Sequence, residues 1–181
     1  MNYQDAFNQV TSRSEHEQNC VNYHEAGHAI VAREVGINFT FITNLPNNNN
    51  AAGRMNFGSH KVTPKVDFDV FTLLMGGILA TDVALDHYDL SEAETDFQQG
   101  WDFLAKIMNA SEMTFDLEKV GAVVFEKAQD KAREILTNKL WHLHQIAAAL
   151  KEKNTLTITE IDEILAKPEP FILTSTMRLE T

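Results

Sequence analysis

Cysteine is almost absent. Cys20 is the only one among 181 residues, so no internal disulfide can form. A chain without that staple suits a reducing compartment, and a cytoplasmic location is expected. Basic charge is scarce as well: 15 Lys and Arg stand against 26 Asp and Glu, a formal net charge of -11. Such a chain repels the phosphates of nucleic acids and the headgroups of anionic membranes, which argues against both as partners. No apolar stretch reaches the roughly 20 residues that a membrane-spanning helix needs. The longest, VFTLLMGGILATDVAL at 70–85, follows Asp69 and contains Asp82, so it reads as a buried helix. The first 18 residues, MNYQDAFNQVTSRSEHEQ, lack the basic and apolar regions of a signal peptide, and no membrane anchor is expected. The phosphate-cradling pattern G-x-x-x-x-G-K-[S/T] is missing too.

What is present suits one globular domain. Apolar residues make up 44% of the chain and charged residues 23%, and the length is enough to bury a core. Residues 1–13 carry no periodic signal and are expected to be a loosely ordered segment. Residues 14–167 form the domain, and 168–181 a tail after Pro168 and Pro170.

Ser14 followed by Glu17 predicts a capping box opening a helix to Val35, with Gly36 as its stop. INFTFITNL at 37–45 reads as a strand and RMNFGS at 54–59 as its return, giving a small β-hairpin. Pro64 allows a helix start, and 66–86 reads as an apolar helix containing Gly76-Gly77. Ser91 with Glu94 predicts a second capping box and a helix to about Met108. From Asp116 to Lys153 one apolar stripe runs through Val120, Val123, Val124, Ala128, Ala132, Ile135, Leu136, Leu140, Leu143, Ala147 and Leu150, predicting a long C-terminal helix. A turn and a last helix capped by Thr159 follow. The fold class is mainly α, within α+β.

The chemistry sits in NYHEAGHAIVA, residues 22–32. On a helix, positions i and i+4 share a face, so His24 and His28 can both reach one Zn²⁺. Glu25 lies about 100° around the helix. Its carboxylate is poorly placed to bind the same ion but can reach a water beside it, the general-base position of a metallopeptidase. By chance alone, a chain of these residue counts would show H-E-x-x-H about 2 times in 100, so the motif needs its helical, small-residue context. A catalytic zinc usually takes three protein ligands. The common extended motif would place Gly at 31 and His at 34, where this chain has Val31 and Glu34. The third ligand must come from elsewhere. The acidic segment DLSEAETDF offers Glu92, Glu94 and Asp96, with His87 and His60 as other options, and spacing alone does not choose among them.

YHEAGHAIVA resembles the active-site helix of the FtsH family of membrane-anchored, ATP-dependent zinc proteases. The likeness continues in order along the chain. FTFITNLPNNNNAAGRMNF resembles that family's strand, loop and cleft-bordering strand, and LLMGGILATDVAL its Gly-Gly helix. SEAETDFQQGWDFLAKI resembles its helix bearing an aspartate zinc ligand, and KAREILTNKLWHLHQIAAALKEKNTLTITEIDEIL its C-terminal helices. The resemblance spans roughly residues 14–165. It implies a helical zinc-peptidase domain with Asp96 as the third ligand. It also implies a peptide or unfolded protein as substrate, with a separate AAA+ unfoldase or FtsH-type protease as a working partner and a homo-oligomer allowed. The family's Arg after the paired glycines is Ile78 here, its following carboxylate pair is Thr81 and Asp82, and the Asn before the ligand aspartate is Thr95.

Each residue also has a plainer reading. Asp96 can simply favour a helix N-terminus. Cys20, four residues before His24, reads as an ordinary thiol, with a fourth ligand or redox switch as its alternatives. His142 and His144 read as solvated, Phe39 and Phe41 as core, and Gly76-Gly77 as a site of close helix packing. The function expected is a zinc metalloendopeptidase. The alternative is a non-proteolytic, metal-binding assembly or regulatory protein of the same fold.

Overall fold

A computed structural model describes residues 13–46, 54–57, 64–87, 90–110 and 116–170. His60 and residues 1–12, 47–53 and 171–181 lie outside these. Six helices and three strands occur among the described residues: α1 (Glu15–Val35), β1 (Phe39–Thr43), β2 (Arg54–Phe57), α2 (Pro64–Leu85), α3 (Leu90–Ala110), α4 (Leu117–Asn138), α5 (Leu140–Lys153), β3 (Thr155–Thr157) and α6 (Ile158–Leu165). The architecture is mainly α with a small antiparallel sheet, as the patterning predicts.

α1 begins and ends where its local chemistry dictates. The Ser14 hydroxyl accepts from the Glu17 N–H, and the Glu17 carboxylate accepts from the Ser14 N–H at 2.7 Å. Gly36 closes the helix at φ +79°, a conformation that costs glycine nothing. β1 pairs antiparallel with β2 on one side and with β3 on the other. In register, Met55, Ile42 and Leu156 form one row across the sheet, with Ile42 and Leu156 fully buried. The end of the sheet is tied down by polar bonds. The Asn44 side chain donates to Asn22 Oδ1 at 2.8 Å, and Thr43 Oγ1 donates to the Asn154 carbonyl at 2.8 Å. Asn22 lies two residues before His24, so the sheet is fastened directly to the motif-bearing helix.

α2 is the central helix, packed between α1 and α4. The apolar stretch at 68–85 is long enough to cross a membrane by composition, but 67% of it is buried within this fold. α1 and α2 cross at glycines. A methyl on Gly27 would collide with the Gly76 carbonyl oxygen, and one on Gly76 would come 2.7 Å from the Val31 side chain. The paired glycines therefore serve close packing against the motif helix, which repays their low helix propensity. A single apolar core draws residues from all six helices, from Ala26 on α1 to Ile164 on α6.

Four expectations are corrected. The stripe from Asp116 to Lys153 is two helices, interrupted at Lys139 (φ -116°, ψ 22°), whose N–H bonds to the carbonyls of both Ile135 and Leu136. Leu136 and Leu143 are fully buried on either side of the break, whereas Leu140 and Val123 are exposed. The i, i+4 line through Val120, Val124, Ala128, Ala132 and Leu136 carries the burial, and Val123 lies beside it. Thr157, not Thr159, caps the last helix, in a capping box with Glu160. The segment before it is a strand rather than a turn. Glu160 is held at about 2, first by the Lys153 ammonium and then by the cap itself. Finally, α3 starts at Leu90, so Ser91 lies within the helix rather than capping it.

Gly27→Ala is expected to cost about 1–3 kcal/mol of stability, because rigid backbone rather than a movable side chain meets the new methyl. Ser14→Ala should cost about 1 kcal/mol as an ordinary lost cap. Urea unfolding of the two variants beside the parent checks both values; an unaltered midpoint for Gly27→Ala would contradict the close crossing.

Candidate metal centre

The same helix crossing builds the site. His24 and His28 are one turn apart on α1, and both are buried at 6% exposure. Asp96, buried at 8% exposure, comes from the second turn of α3. His24 Nε2 and His28 Nε2 lie 3.0 Å apart, and Asp96 Oδ2 lies 3.1 Å from the first and 3.0 Å from the second. Three donor atoms thus form a nearly equilateral triangle. Glu25, at 4% exposure, sits beside them, and its charge acts on His28.

Three features fit this triangle to a metal ion. First, His28 Nδ1 lies 2.9 Å from the Leu73 carbonyl, which can only accept, so Nδ1 carries the hydrogen. The neutral ring then turns the lone pair of Nε2 into the site, the arrangement in which a metal-ligating histidine is oriented by a backbone carbonyl. Second, atoms at the zinc–ligand length of about 2.0–2.1 Å from one centre can have separations of this size. Third, Gly77 of α2 forms the floor. A methyl there would press on His28 Nε2 and come 2.8 Å from His24 Nε2. The missing side chain leaves a cradle against the two ligand nitrogens.

Without an ion, converging lone pairs need a proton. Burial alone would lower the pKa of His28, but the facing Asp96 carboxylate outweighs it, and the nearby Glu25 charge and the Leu73 carbonyl add to the effect, pushing His28 up to about 9. Burial likewise opposes the Asp96 charge, and the facing His28 and His24 rings overcome it, holding the carboxyl well below the usual carboxylate range. A divalent ion bound here would take the place of that held proton and release it.

The other sequence candidates fall elsewhere. Glu94 is exposed, and the side chain of Glu92 lies outside the described residues. Cys20 is not in the triangle; together with His87 it belongs to a separate group that includes His16. Ile78 is in the apolar core, and Asp82 pairs with Arg133 of α4 at 2.7 Å. The reading of His142 as solvated is overturned, whereas His144 is half-buried. The chain after α6 returns over α5, so His142 is buried, with Nε2 3.0 Å from the Lys167 carbonyl and Nδ1 3.2 Å from Glu169. His144 Nδ1 lies 2.8 Å from the Tyr23 hydroxyl, linking α5 to α1. Helical periodicity carries no signal for either contact. Compared with protein-family models and with curated proteins, the chain matches none.

Two outcomes follow. Gly77→Ala should keep the helical circular dichroism but lose at least tenfold in zinc affinity, read by competition with a chromogenic chelator; unchanged affinity would mean that Gly77 is not part of the cradle. In the metal-free protein His28 sits above its ordinary 6.5. Its contribution is therefore fully present below about pH 6.5 and is lost as pH rises through about 9. Stability should fall across that window, and saturating zinc should flatten the slope, as measured by urea midpoints at several pH values.

Proposed function

We propose that the protein is a zinc metalloendopeptidase of the FtsH peptidase type, cutting short or unfolded peptides. The observation that carries this is the triangle of His24, His28 and Asp96 beside Glu25. His–His–carboxylate is the donor set of a catalytic zinc, and among the described residues no fourth His, Cys, Asp or Glu joins it. A structural zinc is normally closed by four protein ligands. The count therefore favours catalysis over the alternative of a metal-binding assembly or regulatory protein.

His24, His28 and Asp96 would hold the ion, and zinc bound there supplies a Lewis acid that polarises a peptide carbonyl and acidifies water. Glu25 takes the proton of the attacking water and returns it to the leaving amine, acting as base and then acid. The Leu73 carbonyl keeps the His28 imidazole aimed, and Gly77 leaves room beside both rings. A substrate in extended form adds along β2, an edge of the β2-β1-β3 sheet, by main-chain hydrogen bonds. A cavity of about 360 Å³ lined by Leu73, Leu74, Gln99 and Phe103 gives an apolar side chain a place to lodge. It shares Leu73 with the site, and Gln99 and Phe103 follow Asp96 on one face of α3. Folded substrates would need a separate AAA+ unfoldase, and the single thiol suits a cytoplasmic setting.

Zinc-loaded protein should cleave an unstructured peptide library, and a chelator should stop it. Glu25→Gln should lower kcat by about 10²–10⁴-fold while the zinc content stays the same. A fully loaded protein that cuts nothing, with Glu25→Gln behaving identically, would leave the non-proteolytic reading in place.

A further inference from the structure

The metal-binding histidines of α1 belong to a longer series. His16, Cys20, His24 and His28 are spaced four apart, so each pair of neighbours stands one turn from the next on the same side of the helix. The upper pair makes the triangle with Asp96. The lower pair meets His87, which follows α2 directly after Asp86, where the backbone takes φ +51°. Cys20 Sγ lies 3.7 Å from His16 Nε2, and the rings of His16 and His87 stand edge to face at 4.9 Å between centroids. The three donor atoms all fall within 4.8 Å of one another. Cys20 is buried at 1% exposure, whereas both histidines reach the surface.

We propose that His16, Cys20 and His87 form a second metal site, selective for zinc or another borderline-to-soft divalent ion. One thiolate and two imidazoles contain no oxygen donor, which disfavours calcium and magnesium. A sulfur–nitrogen separation of 3.7 Å fits a tetrahedral centre with bonds of about 2.3 Å to sulfur and 2.0–2.1 Å to nitrogen. On coordination the Cys20 thiol gives its proton to solvent, and no redox change is involved. The two sites are centred eight residues apart on α1, about 12 Å along the axis. That is far beyond the roughly 3.5–4 Å of a shared two-metal catalytic centre. The second ion is therefore a clamp. It fastens the first two turns of α1 to the end of α2, at the start of the connection leading into α3 and Asp96.

The full chain, stripped of metal and titrated with Co²⁺ under reducing conditions, tests this. Two equivalents should bind, one of them with thiolate-to-cobalt charge-transfer absorption in the near ultraviolet. Cys20→Ser should abolish that band and leave one equivalent. His87→Ala, a change at an exposed residue that spares the core, should weaken the thiolate-bearing equivalent at least tenfold. The double variant His24→Ala/His28→Ala should lose the other equivalent and keep the band, whether or not the protein proves to be a peptidase. A single equivalent in the parent, a second equivalent without thiolate absorption, a band indifferent to His87→Ala, or a band lost with His24 and His28 would each overturn the proposal.

Discussion

The structure depends on how closely α1 and α2 approach. Side chains normally hold packed helices about 8–10 Å apart. Here Gly27 and Gly76 remove them at the crossing, so that backbone meets backbone. The consequence appears one residue further along α2. Gly77 lies under the Nε2 atoms of His24 and His28, and the preceding turn presents the Leu73 carbonyl to His28 Nδ1. The crossing thus does three things together. It buries the motif, fixes the ring that must present its lone pair, and keeps open the space between the ligand nitrogens. A wider crossing would move the Leu73 carbonyl away from His28 and release the ring.

The polar interior of the site follows from this burial. Two imidazoles and a carboxylate at 3.0–3.1 Å would repel as three bare acceptors. In a low-dielectric surrounding that arrangement persists only with positive charge at its centre. The proton held on His28 supplies it, and a divalent ion bound among the three donors would supply it as well. The helices hold the donors in position for both. The stability of the fold and any affinity of this group for a divalent ion would therefore answer the same electrostatic demand.

Much of this was legible in the sequence, for reasons that differ by residue. Ser14, Glu17 and Gly36 act through contacts within one or two turns, so spacing alone locates α1. His24 and His28 share a face because helix geometry is fixed. Asp96 was singled out only by what a family resemblance implied, since no local rule separates it from Glu92, Glu94 or His87; the position of α3 brings its carboxylate to the two histidines. What was not legible depended on distant chain. The break at Lys139 leaves the burial of Leu136 and Leu143 unchanged, so the apolar pattern runs through it. Thr157 and Thr159 are equivalent by residue type, and β1, by pairing with Thr155–Thr157, decides between them. His142 is covered by residues 167–169, which no periodicity in α5 can report.

His87 shows the same limit from the other side. As a sequence feature it was one more candidate for the motif's third ligand. The structure places it a turn and more below that motif, beside Cys20 and His16. The reason is geometric. α2 runs from the glycine crossing at Gly76 to its end at Leu85, about 14 Å along its axis. Its C-terminal end therefore lies near the first turns of α1, not near His28. The positive φ of Asp86 then turns the chain so that His87 faces Cys20 rather than continuing outward. A four-residue spacing on one helix supplies paired donors at every step, but each pair needs a third donor from elsewhere. α3 brings an oxygen to the upper pair and the end of α2 brings a nitrogen to the lower. Because the lower set holds sulfur and no carboxylate while the upper holds a carboxylate and no sulfur, the two should differ in their preferred ions even though they share a helix.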